Sequence, residues 1–176
     1  MMNYGVFVIE SPVDAVVFMA ALEQHLCVLA DRYPDISNTR PGIYAGGSMA
    51  MVRHGLMHSV NDVDIAFRDR ELANALRNTY GKDYFKNYKF AGVDIDFGPD
   101  AAALEGSDAN SSAAASGYFY SLSELHSQYT ELLQWAKEKH DKVLEDKFNS
   151  RLALLQTNKP ELIHRLHHNV QELDGF

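Results

Sequence analysis

The sequence predicts an α+β protein in which helices flank a mixed β-sheet and a helical part follows. Three observations predict this fold. The stretch "GIYAGGSMAMVRHG" has the pattern of a strand, a tight turn and a helix. Two segments, "NDVDIAF" and "GVDIDFG", alternate with the period of two that is typical of strands. Long patterns of helical character lie at both ends of the chain.

The length of 176 residues fits one globular core with a helical appendage. We predict a core over residues 1–117, which includes a mobile loop at 100–117. The loop sequence is small and polar and lacks periodic apolar residues. Residues 118–176 are predicted to form a helical region packed on that core.

Composition and charge limit the classes of function. The hydrophobic share of 46% and the charged share of 23% indicate a folded protein. A net charge of −8 argues against broad, sequence-independent binding of nucleic acid. The single cysteine, Cys27, lies in an apolar run, which favours a buried thiol in a reducing compartment. We therefore expect a cytoplasmic protein.

The N-terminal region predicts no membrane segment. The start of the chain lacks the basic residues of a signal peptide, and polar residues such as Asp14 and Glu23 interrupt the apolar stretch. Residues 4–9 suggest a short strand or an extended arm. Ser11 then caps a helix that should run from Pro12 to about Arg32 and be largely buried.

The middle and the end of the chain supply the remaining elements. Asp69 should cap a helix that ends near Gly81, and two strands should meet near Ala91-Gly92. The sequence is helical again over residues 121–156, and a last helix is predicted over residues 161–173.

The two D-x-D strands carry the candidate chemistry. Val63, Ile65 and Phe67 should face the core, while the intervening aspartates face away. The second strand repeats this pattern. Four carboxylates on such faces repel one another and need either water or a cation: Asp62, Asp64, Asp94 and Asp96. Mg²⁺ and Mn²⁺ prefer hard oxygen ligands such as carboxylates, and substrate phosphates occupy some of their remaining coordination positions.

A glycine turn precedes the first of these strands. Gly46 and Gly47 allow a ligand to approach the backbone closely, and the amides that follow, with the Ser48 hydroxyl, could cradle phosphate. A Walker A motif is excluded because no lysine follows the glycines, and G-x-G-x-x-G is absent.

"GGSMAMVRHG" followed by "NDVDIAF" resembles the nucleotidyltransferase superfamily, which has the polymerase-beta-like fold. The form G-G-[ST]-x-A is most similar to AbiEii-type toxins and minimal nucleotidyltransferases. The resemblance covers residues 43–99. It implies that Gly46, Gly47 and Ser48 hold a triphosphate and that Asp62 and Asp64 ligate the metal.

The third carboxylate implied by the resemblance is Asp94 or Asp96, of which we favour Asp94. Lys137 could reach the triphosphate, although a charge-paired helix surface explains it equally well. The implied reaction transfers a nucleoside monophosphate from an NTP to a hydroxyl of RNA, protein or a small molecule, with Mg²⁺ or Mn²⁺. A tRNA or protein acceptor, and a cognate protein partner in a toxin–antitoxin or phage-defence system, are further expectations.

Two departures from the family pattern support a second hypothesis. The arginine that usually precedes D-x-D is missing, and the lysine-rich helical motif is matched only loosely, by "AKEKHDKVLEDK". The alternative is a nucleotide-binding or protein-interaction module that keeps the fold without catalysis.

The segment "RNTYGKDYFKNYKF" interleaves basic and aromatic residues. Lys86, Lys89 and their neighbours could contact phosphates while the aromatic rings stack on bases. The interpretation that we favour is an edge strand on which lysines prevent pairing with other chains.

Overall fold

A computed structural model of the protein describes residues 5–33, 41–97 and 117–157. It confirms an α+β fold with a mixed sheet. The chain divides into two compact units between Ser121 and Leu122, close to the predicted boundary at residue 117. The predicted loop at 100–117, apart from Gly117, and the predicted helix at 161–173 lie outside the described residues.

Within the described residues, the first unit contains a sheet, three α-helices and a 3₁₀ turn, and the second contains a pair of helices. In chain order the elements are α1 Pro12–Leu29, β1 Ile43–Ala45, α2 Gly47–Arg53, β2 Asp62–Phe67, α3 Arg70–Tyr80, the 3₁₀ turn Lys82–Phe85, β3 Tyr88–Phe90, β4 Val93–Asp96, α4 Leu122–Glu138 and α5 Lys142–Thr157.

Helix α1 begins as its sequence predicts. The Ser11 hydroxyl accepts a hydrogen bond from the Asp14 amide, and the Asp14 carboxylate accepts one from the Ser11 amide. The helix ends before Ala30, earlier than the predicted Arg32. Residues 5–10 form neither a strand nor a helix, and the Phe7 amide donates to the Ala91 carbonyl at 2.8 Å.

Among the described helices, α1 alone is long and apolar enough to cross a membrane, with a mean hydropathy of 1.4. The core helix of a globular protein passes the same test of length and composition. In this fold, one face of α1 belongs to the hydrophobic core of the first unit, where Phe18, Leu22 and Leu26 are fully buried.

The sheet has the strand order β1-β2-β4-β3. β1 is antiparallel to β2, β2 is parallel to β4, and β4 is antiparallel to β3. Val63, Ile65 and Phe67 are buried, as are Ile95 and Phe97, so the predicted core faces of both D-x-D strands are confirmed. The aspartates therefore lie on the opposite face of the sheet.

A tight turn at Ala91 and Gly92 connects β3 and β4. Both residues have positive φ angles, 50° and 77°, as a two-residue type I′ hairpin turn requires. This turn fixes the register of the hairpin and places Lys89 opposite Asp94.

The second unit contains α4 and α5, where the sequence suggested one continuous helical stretch. His140 adopts a left-handed conformation with φ of 55° between them. The Asp141 carboxylate then accepts a hydrogen bond from the Leu144 amide at 3.0 Å and so caps α5. The stretch is therefore a helical hairpin, and Leu125, Tyr129 and Phe148 are among its buried residues.

We expect the single cysteine to react slowly in the folded protein. Burial, followed by the nearby Glu23 and Asp69 carboxylates, raises the pKa of the Cys27 thiol from 9.0 to about 11. Because the thiolate is the nucleophile, this shift alone should slow alkylation by iodoacetamide at pH 8 about 100-fold relative to the unfolded chain. Mass spectrometry of the native protein and of the protein in urea measures the two rates. Equal rates would contradict a buried thiol.

His25 should make stability fall in mild acid. Burial lowers the pKa of His25, whose Nε2 lies 2.6 Å from the Tyr88 hydroxyl. The unfolded chain therefore binds more protons than the folded one below about pH 6.5, the ordinary value for histidine. The contribution of neutral His25 is complete above that pH and is lost as the pH falls toward the lower folded pKa. Urea unfolding at pH 7.5 and 5.5 should show a smaller loss for His25→Gln than for the wild type.

Candidate metal centre

The parallel pairing of β2 with β4 arranges four aspartates in two rows on the open face of the sheet. Asp62 pairs with Asp94, and Asp64 pairs with Asp96. Paired residues on neighbouring strands point to the same face, so their side chains are close neighbours. The short distance between like charges disfavours this arrangement unless cations compensate for it.

A protein cation neutralises one of the four carboxylates. Lys89 on β3 stands next to Asp94 in the first row, and its Nζ lies 2.8 Å from the Asp94 carboxylate. Both side chains are more than half exposed, so the free energy gained from this ion pair is small. The pair nevertheless gives Asp94 a partner of opposite charge at the edge of the aspartate rows.

The other three aspartates form a compact group. Asp62, Asp64 and Asp96 each offer a carboxylate oxygen, and these oxygens all lie within 4.8 Å of one another. Asp62 and Asp96 are exposed, and Asp64 is partly buried. These three residues, the aspartate triad, could bind a metal ion.

The donor set fits a hard divalent cation. Two oxygens on opposite sides of an octahedral Mg²⁺ are about 4.2 Å apart, twice the usual Mg–O distance. Oxygens in adjacent positions are closer, about 3.0 Å apart. The triad oxygens, which lie within 4.8 Å of one another, would therefore reach ligation distances after side-chain rotation.

The predicted glycine turn lies directly against the triad. Gly47 has a φ of 57°, and a Cβ atom added there would lie 2.5 Å from Oδ2 of Asp64. Only glycine leaves space for that carboxylate at this position. The Gly46 amide donates to the Asp64 carbonyl at 3.4 Å, and the Ser48 hydroxyl donates to the Asp62 carbonyl at 3.3 Å. The turn is thus bonded to the backbone of both aspartates of β2.

The structure distributes the sequence-predicted site residues as follows. It brings together Gly46, Gly47 and Ser48 with the three aspartates of the triad. It places Asp94 beside Lys89, outside the triad, whereas the sequence favoured Asp94 as the third carboxylate. Lys137 is an exposed residue in the last turn of α4, in the second unit.

Lys89 is the site residue whose role the sequence interpretation missed. It was assigned to an edge strand, without a partner. The signal was present, because a two-residue turn at Ala91 and Gly92 pairs Phe90 with Val93 and thereby fixes the pairing of the second residue on either side. Counting outward from this turn pairs Lys89 with Asp94.

The fold and the site define a class: an α+β protein in which three clustered aspartates on one face of a mixed sheet could bind a metal ion. Comparison of the chain with family models, with curated proteins and with solved structures found no significant match.

Proposed function

We propose that this chain is a metal-dependent nucleotidyltransferase that moves a nucleoside monophosphate from a nucleoside triphosphate to a hydroxyl group. One observation carries the proposal: three carboxylates from two adjacent strands converge at a glycine turn whose backbone touches one of them. Nucleotidyl transfer needs this combination, because the metal ligands must lie beside a surface that accepts polyphosphate.

Asp62, Asp64 and Asp96 would hold Mg²⁺ or Mn²⁺. When bound, the metal neutralises charge on the transferred phosphoryl group and favours ionisation of the attacking hydroxyl. The triphosphate would lie along Gly46, Gly47 and Ser48, since Gly47 has no room for a Cβ atom beside the Asp64 carboxylate and the Gly46 amide donates to the Asp64 carbonyl. Asp96 takes the role of the third carboxylate, because Asp94 is engaged by Lys89.

In the transfer step, the hydroxyl oxygen forms a bond to the α-phosphorus. The bond from that phosphorus to the oxygen that bridges it to the β-phosphorus breaks, and pyrophosphate leaves. The proton of the hydroxyl passes to a carboxylate oxygen of Asp96, which is exposed and can release it to water. The residues of the site contribute chiefly by orienting the reactants and by matching their charge.

The resemblance to AbiEii-type proteins extends the proposal to the biological setting. An acceptor that is a tRNA or a protein, and a cognate partner in a toxin–antitoxin or phage-defence system, follow from that resemblance. A cytoplasmic location is proposed from the single buried cysteine, Cys27.

The test is a transfer assay with each labelled NTP and Mg²⁺ or Mn²⁺, in the presence of total tRNA, cell protein and a small-molecule extract. Label should move to an acceptor with the wild type and with Asp94→Asn, and not with Asp62→Asn or Asp64→Asn. Binding of NTP and metal without transfer under any condition would support the non-catalytic module. Absence of both binding and transfer would reject the proposal.

A further inference from the structure

A cleft of about 730 Å³ opens beside the aspartate triad, on the side of β3. This volume is in the range of sites for small organic ligands. Its lining includes three carboxylate residues, namely Asp62, Asp94 and Asp96. It also includes basic and amide residues, namely Lys86, Asn87 and Lys89.

Each of the two lysines of the cleft forms an ion pair between exposed side chains. Lys86 lies 2.9 Å from Asp83, and Lys89 lies 2.8 Å from Asp94. Ion pairs between exposed side chains contribute about 0–1 kcal/mol. A ligand phosphate, which carries more charge than one carboxylate, can therefore compete for both ammonium groups.

The strand order separates this cleft from the glycine turn. The turn follows β1, at one end of the order β1-β2-β4-β3, whereas Lys89 lies on β3, at the other end, and Lys86 precedes that strand. The triad, on β2 and β4, lies between them. A triphosphate along the turn and a ligand in the cleft would thus approach the triad from opposite sides, as the two reactants of an in-line transfer do.

We propose that the cleft binds the acceptor of the transfer reaction, and that this acceptor is a hydroxyl compound that carries a phosphate group. Its phosphate contacts Lys86 and Lys89, and its hydroxyl points toward Asp96. A phosphorylated sugar and the terminal nucleotide of an RNA share this chemistry. The inference rests on the proposed function, because it assigns the cleft to a reactant of that reaction.

The test measures binding without turnover, by isothermal titration with ribose 5-phosphate, with ribose and with a short oligoribonucleotide. The proteins are the wild type, the Lys86→Gln, Lys89→Gln double variant, and Lys82→Gln, a control from the 3₁₀ turn that precedes Lys86, whose residue does not line the cleft. Ribose 5-phosphate or the oligonucleotide should bind the wild type and the control, and bind the double variant at least about tenfold more weakly. Whichever of the two binds identifies the source of the phosphate.

Three results would overturn the inference. Equal affinity of the double variant and the control for the phosphate probes would mean that the lysines do not bind phosphate and only prevent the edge strand from pairing with other chains. Equal binding of ribose and ribose 5-phosphate would show that the phosphate group does not contribute to binding. Displacement of ribose 5-phosphate by a non-hydrolysable NTP analogue with Mn²⁺ would assign the cleft to the donor. The Mn²⁺ affinity of the same proteins shows whether the triad binds metal. It therefore distinguishes failure of this inference from failure of the proposed function.

Discussion

A variant that carries both Asp62→Asn and Asp64→Asn is expected to bind Mn²⁺ more than about 100-fold more weakly than the wild type. Loss of a partner outside the ligand shell alone costs 10- to 100-fold in metal affinity, and these residues would supply two of the three ligands of the proposed site. Transfer activity should fall about a thousandfold or more, because a catalytic metal contributes several kcal/mol to transition-state stabilisation. Electron paramagnetic resonance of free Mn²⁺ measures the binding directly.

Asp96→Asn and Asp94→Asn form the matched pair that tests the geometry. Each removes one charge from β4, yet only Asp96 belongs to the triad, and Asp94 is paired with Lys89. We expect Asp96→Asn to lose Mn²⁺ binding and Asp94→Asn to retain it. The reverse result would restore the assignment of the third carboxylate that the sequence favoured.

Unfolding cannot explain the expected losses. The triad places like charges side by side, so removal of one or two of them relieves repulsion in the metal-free protein. Thermal unfolding in chelator should therefore show these variants to be at least as stable as the wild type. A lower midpoint would mean that the carboxylates are structural.

Gly47→Ala should impair metal binding by displacing Asp64. The new methyl group would lie 2.5 Å from Oδ2 of that residue, and the carboxylate, at the end of a side chain, would rotate away. The positive φ of 57° adds a backbone cost of about 1–2 kcal/mol for alanine. Circular dichroism measures the stability, and Mn²⁺ binding measures the ligand geometry.

Gly55→Ala is the control for the backbone cost. Gly55 also has a positive φ, 74°, but no atom lies within 4 Å of an added Cβ. The two variants should lose similar stability, while only Gly47→Ala loses Mn²⁺ affinity. Equal metal binding by both would show that Asp64 tolerates the methyl group and that the turn does not hold it in place.

The elements of the core could be predicted because their signals are local. Alternation in "NDVDIAF" determined which residues of β2 are buried, and Ser11 with Asp14 determined where α1 begins. The helix break at His140 was missed because the left-handed conformation of a histidine has no strong sequence signature, although Asp141 is a common capping residue.

The sequence also showed that the site would be acidic, but it did not show which of the four aspartates belong to it. Four aspartates on two alternating strands predict an acidic face, because side chains on alternate positions share a side of the strand. Alternation alone treats Asp94 and Asp96 alike. What distinguishes them is the pairing of β3 with β4, which brings Lys89 to Asp94.

The sequence by itself therefore determined the α+β class, the core faces of the strands and the four candidate carboxylates, since each depends on periodicity within one element. Only the tertiary structure decided that Asp62, Asp64 and Asp96 form the triad, that Gly47 touches it and that a cleft with two lysines adjoins it. These features depend on strand order and register, which are set by contacts between segments far apart in the chain.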